Sequence, residues 1–151
     1  MWRNGVAAVS LLVLAACSSV GVQYKQPVEG TSSAVVVGGK GTYIYTFDEE
    51  GCYTGKTEIN EKKGLRVFPD KEAIFGYEDY PMGNRYCQMV FSFVPERDAK
   101  YKIDADHPYE HCRVLVTKSN SFATGVPVSL KHHYLNMGFL NTCIRFPSVD
   151  K

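Results

Sequence analysis

The chain has 151 residues, and its 17 Lys and Arg against 16 Asp and Glu give a formal net charge of +1. This balance excludes the strongly basic surface with which proteins bind the phosphates of nucleic acids. With 44% hydrophobic residues, the chain is long enough for one globular domain with one core.

The first 17 residues have the pattern of an export signal. Arg3 gives a positive start, Val6–Val13 is uncharged and apolar, and Leu14-Ala15-Ala16-Cys17 places small residues before a cysteine. The run is shorter than the about 20 apolar residues that a membrane-spanning helix needs. Its end resembles the lipobox of bacterial lipoproteins.

That resemblance implies a signal peptide of residues 1–16, cleavage before Cys17, and a diacylglycerol and an N-acyl chain such as palmitate joined to Cys17. Several acyl chains hold a protein firmly to a bilayer. Ser18 stands where Asp would retain a Gram-negative lipoprotein in the inner membrane, so the resemblance implies the outer membrane, with the domain facing the periplasm. Without Arg3, the 17 basic residues become 16 and equal the 16 acidic ones.

Residues 17–33 predict a flexible tether between the lipid and the domain. They are rich in Ser, Gly, Val and Gln, contain Pro27 and show no sustained hydrophobic period. The domain is therefore expected to occupy residues 34–151 and to be lifted off the membrane.

From Ala34 onward, apolar residues recur with a period of two, which predicts strands. The predicted strands are Ala34–Val37, Thr42–Phe47, Leu65–Phe68, Arg85–Val94, Ala99–Ala105, His111–Thr117, Val126–Leu130 and Cys143–Phe146. Gly38-Gly39-Lys40-Gly41, between the first two, predicts a hairpin turn. The helical candidates are Asp70–Phe75 and a turn around Leu135–Leu140, both too short to be stable alone.

Seven or eight short strands separated by turns predict an all-β fold, a small antiparallel β-sandwich. Arg85–Val94 is apolar on both faces and is expected at the centre of a sheet, whereas Ala99–Ala105 has one polar face. Phe93-Val94-Pro95-Glu96, Tyr101 and Cys112 are similar to residues of small exported β-sandwich lipoproteins without an assigned activity. This similarity implies the same fold and no particular function.

Four cysteines remain once Cys17 carries lipid, and in an exported protein they predict two structural disulfides. The sequence permits three pairings, of which Cys52 with Cys87 and Cys112 with Cys143 is preferred here. The spacing of these cysteines fits neither a redox Cys-x-x-Cys motif nor a zinc site.

Two groups of residues have the chemistry of metal ligands. One consists of Asp104, Asp106, His107 and His111, and the other of Asp48, Glu49, Glu50 and Asp79. Pro108 makes the first group a turn in which the histidines need not converge, and the second group lacks the alternating oxygen donors of a calcium loop. Both are interpreted as polar loops, so no metal site is predicted. His132 and His133 point to opposite faces of a strand and form a weaker candidate still.

Sequence motifs for catalysis are missing. The chain contains no Gly-x-Ser-x-Gly motif and no phosphate-binding Gly-rich loop that opens a helix. No nucleophile, base or oxyanion donor is thereby identified. The domain is expected to be no enzyme and to hold no cofactor other than the covalent lipid.

The stretch Phe75–Tyr86 has the composition of a recognition loop. Its aromatic side chains, Met and Arg are residue types that contribute strongly to interfaces, and its Gly and Pro interrupt regular structure. The candidate contact residues are Tyr77, Tyr80, Met82, Arg85 and Tyr86. The alternative is that these rings only cover the end of the sandwich.

These features predict a membrane-anchored lipoprotein that acts as a non-catalytic binding or assembly module of the cell envelope, through this loop or through an exposed strand edge. A second hypothesis is a sensor or hydrolase for cell-wall glycan, with Glu78 and Asp79 beside the tyrosines. A third is a surface protein whose role is purely structural. The sequence does not choose among them.

Overall fold

The computed structural model describes residues 21–80, 86–107, 111–119, 125–134 and 143–149. These segments contain ten strands: β1 Ala34–Gly38, β2 Thr42–Phe47, β3 Tyr53–Glu58, β4 Leu65–Val67, β5 Ala73–Asp79, β6 Cys87–Phe93, β7 Lys100–Asp106, β8 Arg113–Ser119, β9 Val126–Pro127 and β10 Lys131–His133. The same segments contain no helix, and hence none that is long and apolar enough to cross a membrane.

The strands form two five-stranded sheets. The first has the order β4-β1-β7-β8-β9 and the second the order β10-β6-β5-β2-β3. Neighbouring strands are antiparallel, except that β1 and β7 run parallel. The predicted all-β sandwich is therefore confirmed, with more strands than the seven or eight expected.

The core lies between the sheets and takes alternate residues from both. Val36 of β1, Ile103 of β7 and Val116 of β8 come from the first sheet, and Phe75 of β5 and Phe91 of β6 come from the second. Each of these side chains is at most 2% exposed. Burial of one such side chain stabilises a fold by about 1.5–3 kcal/mol, so this cluster is the main apolar contribution to stability.

The strands with the clearest period lie where the sequence predicts them. In β7, Tyr101 and Ile103 are buried, whereas the lysines on either side of Tyr101 are exposed. β6 has a neighbour on each side in its sheet and is buried continuously over residues 90–93. The amphipathic strand and the strand with two apolar faces are both confirmed.

The hairpin predicted at Gly38–Gly41 is wrong. β1 and β2 lie in different sheets, so this segment is a crossover between the sheets. Gly41 has a φ of +83°, and a Cβ there would lie 2.3 Å from the carbonyl oxygen of Glu78, so the position requires glycine. Period-two hydrophobicity identified both strands, but it carries no information about which strand pairs with which.

Three further local predictions differ from the structure or lie outside it. The helical candidate Asp70–Phe75 is a turn followed by the start of β5. Cys143–Phe146 is not one of the strands. Leu135–Leu140 lies outside the described residues. β3 was not predicted because it consists of polar and small residues apart from Tyr53, so the alternation that marks a half-buried strand is weak there.

The preferred disulfide pairing is wrong, although two disulfides do form. They join Cys52 to Cys143 and Cys87 to Cys112. Cys87 begins β6 in the second sheet and Cys112 precedes β8 in the first, so this disulfide connects the two sheets. Cys52 precedes β3 at the opposite end of the second sheet, because β3 starts beside the last residue of β2. Each end of the sandwich therefore has its own disulfide.

Residues 21–33, which we call the strap, lie against the domain. The first half of the strap follows β3: the Val22 amide donates to the Thr54 carbonyl at 3.0 Å, and the Tyr24 amide donates to Thr57 Oγ1 at 2.7 Å. The strap thus lies along β3, the edge strand of the second sheet.

The second half of the strap is held by Arg66 of β4. Its guanidinium donates to the carbonyls of Val28 and Thr31, each at 3.0 Å, and to Ser33 Oγ at 3.1 Å. Because β3 and β4 are edge strands of different sheets, the strap closes one side of the sandwich. Of the tether predicted over residues 17–33, residues 21–33 thus make hydrogen bonds to β3 and β4, and residues 17–20 lie outside the described residues.

The C-terminal segment 143–149 covers the outer face of the second sheet. The ring of Phe146 stacks on Tyr45 with centroids 4.9 Å apart and meets Phe47 and Tyr53 edge-on. This arrangement forms a second, smaller apolar cluster on the side of the sheet away from the main core. The disulfide at Cys143 holds the start of the segment in place.

Candidate functional site

An exposed aromatic pair lies where β5 ends and β6 begins. The ladder between these strands ends with Asp79 opposite Cys87. Tyr80 follows Asp79 and Tyr86 precedes Cys87, so the two tyrosines face each other just beyond the ladder. The two ring centroids are 4.7 Å apart, and the side chains are 73% and 49% exposed. We call this end of the sandwich, with Tyr80, Tyr86 and the neighbouring Glu78, the tyrosine end.

A largely buried carboxylate lies next to the pair. Glu78 of β5, whose side chain is 11% exposed, accepts a hydrogen bond from the Tyr45 hydroxyl at 3.0 Å and forms an ion pair with Lys56 of β3. Lys56 Nζ also lies 4.3 Å from the centroid of the Tyr43 ring. A carboxylate with so little exposure needs such partners, because its desolvation is otherwise costly.

Gly76 of β5 makes room for this arrangement. A Cβ at Gly76 would lie 2.3 Å from the Tyr45 hydroxyl oxygen, so the Tyr45 ring crosses β5 where the side chain is missing. The hydroxyl thereby reaches Glu78 on the far side of the glycine. A glycine within a strand commonly marks such a close approach.

The pKa values of three side chains around Glu78, namely Tyr45, Tyr86 and Lys56, are raised. Burial raises the pKa of Tyr45, and the charge of Glu78 and the hydrogen bond to it raise it further. Burial also raises the pKa of Tyr86, followed by the hydrogen bond with Tyr80 and the charge of Glu78. For Lys56, burial lowers the pKa, but the hydrogen bond and charge of Glu78 outweigh it, so the pKa is raised. At neutral pH both hydroxyls are neutral and the ammonium is charged.

A groove of about 530 Å³ runs beside the aromatic pair. It is lined by Lys40, Gly41, Tyr43, Glu58, Tyr77, Glu78, Asp79 and Tyr80. Its volume falls within the range of ligand sites, about 300–1,000 Å³. Its walls combine aromatic rings with carboxylates and an ammonium group, so the groove offers stacking surface and hydrogen-bonding groups to a polar ligand.

The structure brings two of the five predicted contact residues together on the surface, namely Tyr80 and Tyr86. Tyr77 lies in β5 and is only 6% exposed, with its hydroxyl 3.3 Å from Asp79 Oδ2, so it forms a wall and offers little contact area. Met82 and Arg85 lie outside the described residues. Most of the predicted recognition loop Phe75–Tyr86 that the structure describes is therefore strand, with the exposed tyrosines at its end.

Several of the residues considered as metal ligands form ion pairs or hydrogen bonds, one of them between two of the candidates. The shortest pairs are His107 with Asp79 at 3.2 Å, Asp106 with Arg113 at 2.6 Å and Asp104 with Lys102 at 2.7 Å. Asp48 Oδ1 accepts hydrogen bonds from backbone amides of its own turn. In the part of the chain that the structure describes, no three His, Cys, Asp or Glu side chains lie close enough to hold a metal ion.

A polar chain on the second sheet was not found by sequence reasoning. Ser92 Oγ lies 2.7 Å from both Glu72 Oε1 and His133 Nε2, and His133 Nδ1 lies 2.9 Å from the carbonyl oxygen of Phe146. Through His133, this chain of contacts connects the C-terminal segment to β6. Because Ser92 is fully buried, its hydroxyl is closed to a substrate. The sequence signal was the His132-His133 pair on a predicted strand; its partners are distant in the chain.

No protein-family model matches the chain, and no significant match was found among curated proteins or among solved structures. The functional interpretation therefore comes from the residues of the tyrosine end.

Proposed function

We propose that the protein is a bacterial envelope lipoprotein whose β-sandwich is a non-catalytic binding module. Acyl chains on Cys17 anchor it to the outer membrane, with the domain in the periplasm. Its contact surface for a partner protein is the tyrosine end. The observation that carries this proposal is the exposed pair of Tyr80 and Tyr86, whose rings are in contact at the end of the β5–β6 ladder.

Two tyrosines in mutual contact suit recognition. Each ring offers apolar area and a hydroxyl group, and each side chain has few rotamers to lose on binding. The contact between the rings and the paired Glu78 beside them restrict both side chains before a partner arrives. Such preorganisation lowers the entropic cost of binding.

The partner surface is tested by cross-linking the full-length lipidated protein in intact envelopes, followed by mass spectrometry of the products. The double variant Tyr80→Ala/Tyr86→Ala is compared with the wild type and with Leu115→Ala, which removes a side chain 46% exposed on β8 of the other sheet. We expect the double variant to lose a product that the other two retain. Identical products from all three proteins would contradict the proposal.

The anchor is tested by the intact mass of the protein isolated from its own membrane, beside Cys17→Ala. We expect the wild type to have the mass of a chain that begins at Cys17 and carries a diacylglycerol and an N-acyl chain. We also expect four free thiols to appear only after reduction. An unlipidated mass would reject the anchor.

The groove favours a second candidate function, a sensor or hydrolase for cell-wall glycan. The rings of Tyr43 and Tyr80 offer faces on which a sugar can stack, and the carboxylates of Glu58 and Asp79 line the same groove. Sedimentation with purified peptidoglycan tests binding, and release of reducing sugar tests hydrolysis. Saturable binding that Tyr80→Ala removes would support this candidate, whereas absence of both signals would reject it.

A further inference from the structure

The end of the sandwich opposite to the tyrosine end has an apolar cleft. β2 and β5 pair from Thr42 opposite Tyr77 to Ile44 opposite Phe75, and the described ladder stops there. Beyond this point a cleft of about 290 Å³ opens, lined among others by Tyr24, Phe47, Phe68, Lys71 and Ala73. We call this end, with Val22, Tyr24, Phe68 and Lys71, the strap end.

Exposed apolar side chains lie at the strap end, and one of them lines the cleft. Val22 and Phe68 are 58% and 42% exposed, and the ring of Tyr24 meets Phe68 edge-on at 6.4 Å. Lys71 Nζ lies 5.8 Å from the centroid of the Phe68 ring. Apolar side chains exposed at one end of a domain provide surface with which a protein can contact a membrane or another protein. A lysine beside these side chains can place its stem on the apolar surface while its ammonium group reaches lipid phosphates.

The strap brings the lipid attachment site to this end. A Cβ at Gly21 would lie 2.7 Å from Gly55 Cα of β3, and Gly55 is opposite Thr46 of β2, which lines the cleft. Gly21 is therefore about two strand spacings, or about 10 Å, from Thr46. Cys17 precedes Gly21 by four residues, so even a fully extended chain keeps the two residues within about 14 Å.

From this reach we infer that the strap end is the membrane-facing surface of the domain, and that its partner is the lipid surface that holds the Cys17 anchor. The inference rests on the proposed anchor at Cys17. Because the strap is bound to β3 and β4, residues 21–33 add no length to the link between Cys17 and the domain. A short connection gives the strap end a high effective concentration at the bilayer, so a small apolar surface is enough for contact.

This orientation directs the tyrosine end away from the membrane. Ala73, at the start of β5, lines the cleft, and Tyr80 is seven residues further along an extended chain. At about 3.3 Å per residue, the two positions are about 23 Å apart. Tyr80 and Tyr86 then face the space in which other envelope molecules diffuse.

Tryptophan fluorescence tests the orientation directly, because the one Trp of the chain is Trp2, in the predicted signal peptide. Phe68→Trp places a single fluorophore at the strap end, and the matched control Tyr80→Trp places one at the tyrosine end. Each full-length lipidated protein is reconstituted into phosphatidylcholine vesicles with or without bromine on the upper acyl carbons. We expect Phe68→Trp to lose about half or more of its emission in brominated vesicles, because an interfacial ring enters the acyl boundary by about 5–10 Å. Tyr80→Trp should keep its emission.

The outcomes separate this inference from the proposed function. If the lipid mass is present but bromine leaves Phe68→Trp unquenched, or quenches both reporters equally, the inference is overturned while the anchor stands. If no lipid mass is found, the anchor fails and the inference fails with it. A dimer in sedimentation, with Phe68→Trp unquenched, would assign the strap end to a second copy of the chain. Val22→Trp is a second reporter in case Phe68→Trp disturbs the fold.

Discussion

The strap end and the tyrosine end hold their exposed side chains by different forces. At the strap end, Val22 and Tyr24 are placed by hydrogen bonds to β3, and the exposed surface is mainly apolar. At the tyrosine end, Tyr80 and Tyr86 lie beside Glu78 with its charged and hydroxyl partners. An apolar surface fits a uniform phase such as lipid, whereas fixed hydroxyls and charges discriminate between partners. Under the proposed function, the two ends separate anchoring from recognition within one domain.

The largest expected effects come from the disulfides at the two ends. Cys52 and Cys143 are separated by 91 residues, and Cys87 and Cys112 by 25. On loop entropy, Cys52→Ser/Cys143→Ser should lower the free energy of unfolding by about 4.6 kcal/mol and Cys87→Ser/Cys112→Ser by about 3.5 kcal/mol. Urea unfolding of both double variants measures this difference. The opposite order would mean that connecting the two sheets matters more than loop length.

A smaller effect is expected when the strap is pushed off β3. A Cβ at Gly55 would lie 2.5 Å from the backbone nitrogen and oxygen of Val22, so Gly55→Val should displace the strap and cost about 1–3 kcal/mol. Gly39→Ala is the matched control, because a Cβ there has no atom within 4 Å among the described neighbours; its cost should stay within about 0.5 kcal/mol. Chemical denaturation compares the two. Faster amide exchange of Val22 and Tyr24 in Gly55→Val alone would confirm the cause, and unchanged exchange would refute it.

Removing one hydroxyl tests the polar network of the tyrosine end. Tyr45→Phe deprives Glu78 of a hydrogen bond and should cost about 1 kcal/mol at pH 7. Burial first, and Glu78 second, raise the pKa of Tyr45 above its ordinary value of 10.0. The stabilisation is therefore complete below about pH 10 and is lost as the pH rises toward the higher folded-state pKa.

The pH dependence distinguishes Tyr45 from an exposed tyrosine. Between pH 8 and pH 11, the wild type and the control Tyr134→Phe should lose stability more steeply than Tyr45→Phe, as urea unfolding at each pH will show. Tyr134 is 51% exposed and follows β10. Equal slopes in all three proteins would mean that Tyr45 does not carry the effect.

The smallest expected effect on stability belongs to the residues proposed to matter most for binding. Tyr80→Ala removes a side chain that is 73% exposed, so the free energy of unfolding should change by about 0.5 kcal/mol or less. Thermal unfolding checks this before any binding assay. A loss well above 1 kcal/mol would place Tyr80 in the fold and weaken its assignment as a contact residue.

Local patterns predicted the elements better than their partners. Tyr101 and Ile103 in β7 alternate with lysines, and β6 is apolar on both faces, so both strands were evident from neighbouring residues alone. The crossover at Gly38–Gly41 was read as a hairpin, because a short Gly-rich segment between two strands has the same composition in either case. For the same reason the even number of cysteines that follow Cys17 predicted two disulfides but not their pairing.

The candidate site was predictable in its exposed part. Tyr80 and Tyr86 were identified by residue type, whereas Tyr77, two residues before the end of β5, proved to be buried. Lys56 and Tyr45 were missed because Glu78, which contacts both, lies 22 and 33 residues away from them in the chain. Neither residue type nor spacing marks such a contact.

By itself, the amino-acid sequence determined an all-β fold, because period-two hydrophobicity acts within each strand and needs no partner to be recognised. Only the tertiary structure decided that the strap is fixed, that the disulfides lie at opposite ends, and that Glu78 joins Lys56 and Tyr45. These features depend on strand order and register, which follow from the packing of the whole core and from no local segment.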